Sequence, residues 1–155
     1  MNIKDLIDIN YATNIRQNRR KGENATNEFF TPFNCVEKMC NKISLEDWKN
    51  PNKLFLEPCF GSGNFCVYIV YKRLHSGIDW KTTLETLYGV ELMNDNVQEC
   101  KERILDLLDK LQIEYNKEEA KKIMDKNLVC HDFFEWNFEE WRSYTEEELK
   151  TLNNK

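Results

Sequence analysis

No apolar run in this chain approaches the roughly 18 to 20 residues that span a bilayer, so a membrane partner is not expected. The N-terminal stretch MNIKDLIDINYATNIRQNRRKG has no basic start followed by an apolar segment. That excludes a secretory signal and makes the cytoplasm the expected location. The six cysteines (Cys35, Cys40, Cys59, Cys66, Cys100 and Cys130) form no C-x-x-C pair, and only His75 and His131 accompany them. No metal site is expected, and the thiols read as reduced and mostly buried. Positive charge is not in excess. The net charge of −5 excludes a domain that binds nucleic acid through an overall basic surface. The G-x-G-x-x-G turn that cradles a pyrophosphate is absent, because Cys66 stands where its third glycine would be, and no Gly-Lys-Ser/Thr P-loop replaces it. Proline is scarce: Pro32, Pro51 and Pro58 are the only three, and no two are adjacent.

What remains describes a globular chain of ordinary size. Its 155 residues fit one domain, and 41% hydrophobic content is enough to build a core. Charge is unevenly spread. RQNRRK is basic and lies in an N-terminal arm, residues 1–26, which reads as loosely helical and then mobile. The end of the chain is acidic, with Glu135, Glu139, Glu140, Glu146, Glu147 and Glu148. A basic arm can touch phosphates, but a short charge run is more often a solvated stretch. Residues 27–155 form the expected domain.

Periodicity then places the elements. Val36, Met39, Cys40 and Ile43 recur at i, i+3, i+4 and i+7, which predicts a helix opened by Thr31-Pro32. LEDWKNPNK reads as a polar turn and LFLE as a short strand. GSGN is a glycine turn, and Phe65 to Leu74 is a helix. TLYGVEL is a second strand. The stripe Val97, Cys100, Ile104, Leu107, Leu108 and Leu111 marks a long helix, and a further helical piece covers Lys117 to Lys126. NLVCHDFF is a third strand, and the charged end is helical. Strands alternating with helices predict an α/β fold: a parallel sheet with helices on both faces and an N-terminal helix.

In an open α/β sheet, ligands bind beyond the carboxyl ends of the strands. Three segments place polar groups there. After the first strand come Glu57, Pro58, Cys59, Phe60, Gly61, Gly63, Asn64 and Phe65. Glycine lets the backbone approach a ligand closely, and a helix N-terminus follows with unpaired N–H groups. After the second strand come Glu91 and Leu92, where a carboxylate can accept ribose hydroxyls. After the third come Asp132 and Phe133, an acceptor for an exocyclic amine and a cover for a purine face. Asp132 serves equally well as a cap for a following helix, and Thr31 as a helix cap. A ligand with an amino-acid end, a ribose and an adenine fits this set, which points to S-adenosylmethionine.

Here the sequence resembles the DNA adenine-N6 methyltransferases. NEFFTP is similar to their Tyr/Phe-Thr-Pro element, in which Thr31, followed by Pro32, would reach the cofactor carboxylate. EPCFGSGNF resembles their Asp-Pro-Ala-Cys-Gly-Ser-Gly-Asn-Phe motif nearly letter for letter. YGVEL resembles their second cofactor segment, with Glu91 as ribose ligand, and NLVCHDFFEW their third. The resemblance spans roughly Asn27 to Trp136 and implies part of a Rossmann-like class I methyltransferase fold.

The family's catalytic Asn/Asp-Pro-Pro-Tyr/Phe element has no counterpart, so no catalytic residue is assigned. No fourth strand is read in the acidic tail, and no DNA-reading part is present. Transfer to an adenine amine needs the base flipped out and gripped. The bare side of the first strand therefore calls for a homodimer mate or a partner subunit that supplies the remaining strands, with DNA reached through that partner. Two other readings stand beside this one. One is a non-catalytic, methyltransferase-like regulatory or decoy protein that binds a restriction-modification partner. The other is a methyltransferase acting on a small molecule or a protein.

Overall fold

A computed structural model describes residues 31–153. The expected basic arm 1–26, and the first residues of the NEFFTP element, lie outside the described residues. The described elements run α1 (Phe33–Cys40), α2 (Leu45–Lys49), β1 (Phe55–Glu57), α3 (Asn64–His75), α4 (Trp80–Glu85), β2 (Leu87–Glu91), α5 (Asn94–Lys110), α6 (Lys117–Asn127) and β3 (Leu128–Cys130). A 3-10 turn (Phe133–Glu135), two short strands β4 (Trp136–Asn137) and β5 (Arg142–Ser143), and α7 (Glu146–Asn153) complete the order. The result is an α/β unit compatible with part of a Rossmann-like fold.

The sheet has the order β1-β2-β3, and both pairings are parallel. Phe55 pairs with Leu87, and Gly89 with Leu128. Side chains alternate along a strand, so Phe55, Leu87 and Leu128 share one face. All three belong to a single buried cluster. Every helix from α1 to α6 contributes to it, through residues such as Val36, Trp48, Val70, Leu84, Ile104 and Met124. The other face carries Leu56, Tyr88, Val90 and Val129, none of which joins that cluster.

The expectation of helices on both faces is therefore corrected for α1 to α6. β1 to β2 and β2 to β3 are steps in the same direction across the sheet. Two crossovers of one hand taken in one direction lay their helices on the same side. The reverse side is served by aromatic rings from the chain end instead: Trp141 meets the Tyr88 ring edge-on at 4.8 Å. β4 and β5 form a separate antiparallel pair and add nothing to the parallel sheet.

Four local readings change. Met39 is 56% exposed, because α1 turns Phe33, Val36 and Cys40 inward and leaves Met39 on the flank. LEDWK is a helix, not a turn: Ser44 accepts from the Asp47 N–H at its start and Trp48 is buried. α4 is a further helix, capped by Asp79. Of the six thiols, Cys40, Cys66 and Cys100 are buried, but Cys35, Cys59 and Cys130 are exposed. Cys59 and Cys130 lie at strand ends, where the sheet opens. No helix among the described residues is long and apolar enough to cross a membrane.

A buried cation holds the base of the unit together. Arg73 is fully buried on α3, and its guanidinium donates to the carbonyls of Trp48 (3.0 Å) and Asn50 (2.7 Å) and to Thr86 Oγ1 (3.2 Å). It thereby satisfies carbonyls at the end of α2, and it lies 5.2 Å from the Phe55 ring.

Candidate functional site at the carboxyl ends of the strands

The turn between β1 and α3 begins with Glu57 and passes through two glycines in the left-handed region, Gly61 at φ 53° and Gly63 at φ 93°. Gly63 is required twice over. Its φ is strained for any L side chain, and a Cβ there would run into Cys100, whose own Cβ would lie only 2.8 Å away. Gly89, in the middle of β2, serves the same turn, because the Phe60 ring occupies the place its Cβ would take. Phe60 is thus buried packing that fixes the turn against the sheet.

Glu91 joins the ends of the first two strands. One carboxylate oxygen accepts the Gly61 N–H at 2.9 Å, and the other accepts the Met93 N–H at 3.0 Å and Asn96 Nδ2 at 3.2 Å. The third strand end is tied in through its backbone, with the His131 N–H donating to the Glu91 carbonyl at 3.0 Å. A carboxylate offers about four acceptor positions. Three are engaged, which leaves room for one ribose hydroxyl but not for a full bidentate clasp. Glu91 is 9% exposed.

Asp132 spends one oxygen on the Phe134 N–H at 2.9 Å and so caps the short turn after β3. The capping alternative for that residue is realised at this oxygen. Thr31 is not a cap: Pro32 holds the N-cap place of α1, and no side chain bonds to that helix start. The Thr31 carbonyl accepts from Asn64 Nδ2 at 2.9 Å.

A hollow of about 90 Å³ is lined by Thr31, Glu57, Cys59, Phe60, Gly61, Asn64 and Phe65. Seven of the fourteen residues expected from sequence line it. Pro32, Pro58, Gly63, Glu91, Leu92, Asp132 and Phe133 do not. Leu92 is exposed, and Phe133 packs its ring on Phe134 and Phe138. At about 90 Å³ the hollow is well below the roughly 300 to 1,000 Å³ of an enclosing small-molecule pocket. It can hold one end of a nucleoside-sized ligand, with the remainder lying over the strand ends.

The electrostatics of the strand ends are one-sided. Burial raises the Glu57 carboxyl above its ordinary value, partly offset by the Cys59 backbone N–H. Burial likewise raises the Cys59 thiol, and Glu91, Glu57 and Asp132 each push it further up. The strand ends thus gather negative charge, which favours a cationic ligand group.

Two residues that the sequence reading passed over organise this site. Arg103 on α5 donates to the Ser62 carbonyl (2.8 Å) and to Asn64 Oδ1 (2.8 Å), and Asn96 anchors Glu91. Both lie on α5, where they read as ordinary polar positions of an amphipathic helix, and no local signal separates them from its solvated face. Among the described residues, no group of three or more His, Cys, Asp or Glu side chains is placed to hold a metal ion. No protein-family model, no curated protein and no solved structure matches this chain.

Proposed function

We propose that this chain is an S-adenosylmethionine-binding domain of the DNA adenine-N6 methyltransferase type, which needs a second polypeptide for catalysis. One observation carries the reading. Glu57 and Glu91 end two adjacent parallel strands, Asp132 closely follows the third, and Glu91 is bonded directly to the glycine turn that opens a helix, through the Gly61 N–H at 2.9 Å. S-adenosylmethionine brings a sulfonium and an α-ammonium, and a field of three carboxylates suits both. The donor and acceptor set also fits: two glycines keep the turn free of side chains, and Glu91 has one acceptor position left. When bound, the cofactor would supply the transferable methyl group. This chain's own residues would hold and orient it.

A partner belongs to the same reading. Among the described residues β1 is an edge strand, with Leu56 exposed on its face and Leu54 exposed just before it, and a further parallel strand would add there. A hollow of about 90 Å³ leaves much of a nucleoside uncovered, and a second polypeptide on that edge would cover it. Titration calorimetry with S-adenosylmethionine and S-adenosylhomocysteine tests the cofactor. Micromolar binding is expected, and no heat and no thermal shift at millimolar ligand would end the proposal. Light scattering tests the edge, with a mass above one chain expected at micromolar concentration, alone or with the partner.

A second reading, a regulatory or decoy protein, is favoured by the acidic, aromatic chain end that follows β3 in place of a catalytic strand. Methyl transfer to adenine-containing DNA by the purified chain alone would dismiss it.

A further inference from the structure

The hollow is lined by segments far apart in the chain: Thr31, just before α1, and residues between Glu57 and Phe65 around the β1–α3 turn. A turn with two glycines in the left-handed region has wide conformational freedom of its own. Ser62 between them is fully buried, so its carbonyl and hydroxyl need partners. Arg103 Nη1 supplies both, at 2.8 Å to the carbonyl and 3.3 Å to the hydroxyl, and also reaches Asn64 Oδ1 at 2.8 Å. A guanidinium can only donate, so it fixes which end of the Asn64 amide faces it. The Nδ2 end is thereby turned toward the Thr31 carbonyl, to which it donates at 2.9 Å. Asn64 is 4% exposed, and both ends of its amide are engaged.

We propose that Arg103 and Asn64 are positioning residues that couple the glycine turn to Thr31 at the head of α1, so that the two segments lining the hollow are set as one unit before a ligand enters. Arg103 acts on the turn directly and on Thr31 only through Asn64. Asn64 hands the constraint on to α1, whose first N–H groups, from Cys35 and Val36, bond to the Pro32 carbonyl. The coupling stands on hydrogen bonds within this chain. Only its effect on affinity rests on the cofactor reading above.

The arrangement predicts a nested pattern of hydrogen exchange in the full chain without ligand. Asn64→Asp keeps an acceptor for Arg103 and loses the donor to Thr31. It should speed exchange at Cys35 and Val36 about five- to tenfold, the worth of one hydrogen bond, and leave Gly63 and Val67 unchanged. Arg103→Met should speed both groups, while His131 in the sheet keeps its rate. Arg103→Lys, a single point charge, should restore part of the protection. S-adenosylhomocysteine should bind both Asn64→Asp and Arg103→Met about tenfold more weakly than the native chain. Unchanged exchange at Cys35 and Val36 in Asn64→Asp, uniform loosening that includes His131 in Arg103→Met, or native affinity in both variants overturns the proposal. If Arg103→Met does not fold, the isosteric Asn64→Asp carries the test alone. A native chain that ignores S-adenosylhomocysteine but shows the nested exchange refutes the cofactor and leaves the coupling standing.

Discussion

Phe55 and Leu56 are neighbours on one strand, yet Phe55 is 7% exposed and Leu56 50% exposed. The same division runs across the sheet. On one face Phe55, Leu87 and Leu128 lie under six helices; on the other, Leu56 is exposed and Tyr88 and Val129 are partly covered, while Val90 of the central strand is buried. Residue type does not account for the difference, because both faces are apolar. The direction of the two crossovers does: it stacked the second layer on one side only. A sheet that is apolar on both faces, with helices over one and chain-end aromatic rings over part of the other, is compatible with part of a Rossmann-like fold.

The largest expected effect separates the faces. Leu87→Ala should cost about 2 to 5 kcal/mol in denaturant unfolding, whereas Leu56→Ala should change stability by less than about 0.5 kcal/mol. Equal costs would break the comparison and mean that the reverse face is covered in solution. Two glycines sharpen it at a smaller scale. Gly63 and Gly77 both have positive φ, but a Cβ on Gly63 meets Cys100 while one on Gly77 meets nothing within 4 Å. Gly77→Ala should therefore cost about 1 kcal/mol of backbone strain alone, and Gly63→Ala about 1 to 3 kcal/mol more. Equal melting temperatures for the two variants would contradict the close approach of α3 and α5.

The smallest expected effect is a pH dependence. Burial raises the folded Glu57 carboxyl above its ordinary value of 4.5. The folded state therefore holds this proton to higher pH than the unfolded chain does. Its contribution is fully present below the unfolded value and is lost as pH rises through the folded one. Glu57→Gln should melt at a higher temperature than the native chain at pH 7, and the gap should close toward pH 4. A gap that widens on acidification would show that the native carboxylate is stabilised in its ionised form.

Much of the local structure was legible because it is written locally. The stripe on α5 is a 3.6-residue pattern, and all of it but the partly buried Leu111 is buried as read. The glycine turn was legible because left-handed backbone admits few residues other than glycine. Two short helices were missed although their caps were in view: Ser44 stands three residues before Asp47, and Asp79 three before Thr82. Met39 was misplaced because periodicity gives a stripe's spacing but not the angle at which neighbouring elements meet it.

The sequence by itself determined the three parallel strands, the longer helices, and that an acid ends each of β1 and β2 and closely follows β3. Those features depend on residues a few positions apart. Only the tertiary structure decided that the strands pair in the order β1-β2-β3 and that α1 to α6 pack on one face. It alone decided that Glu91 spends three of its acceptor positions inside the protein, and that Arg103 reaches across 41 residues to hold the turn. Strand order and long-range hydrogen bonds are chosen by how whole elements pack together, and no short window of sequence encodes that choice.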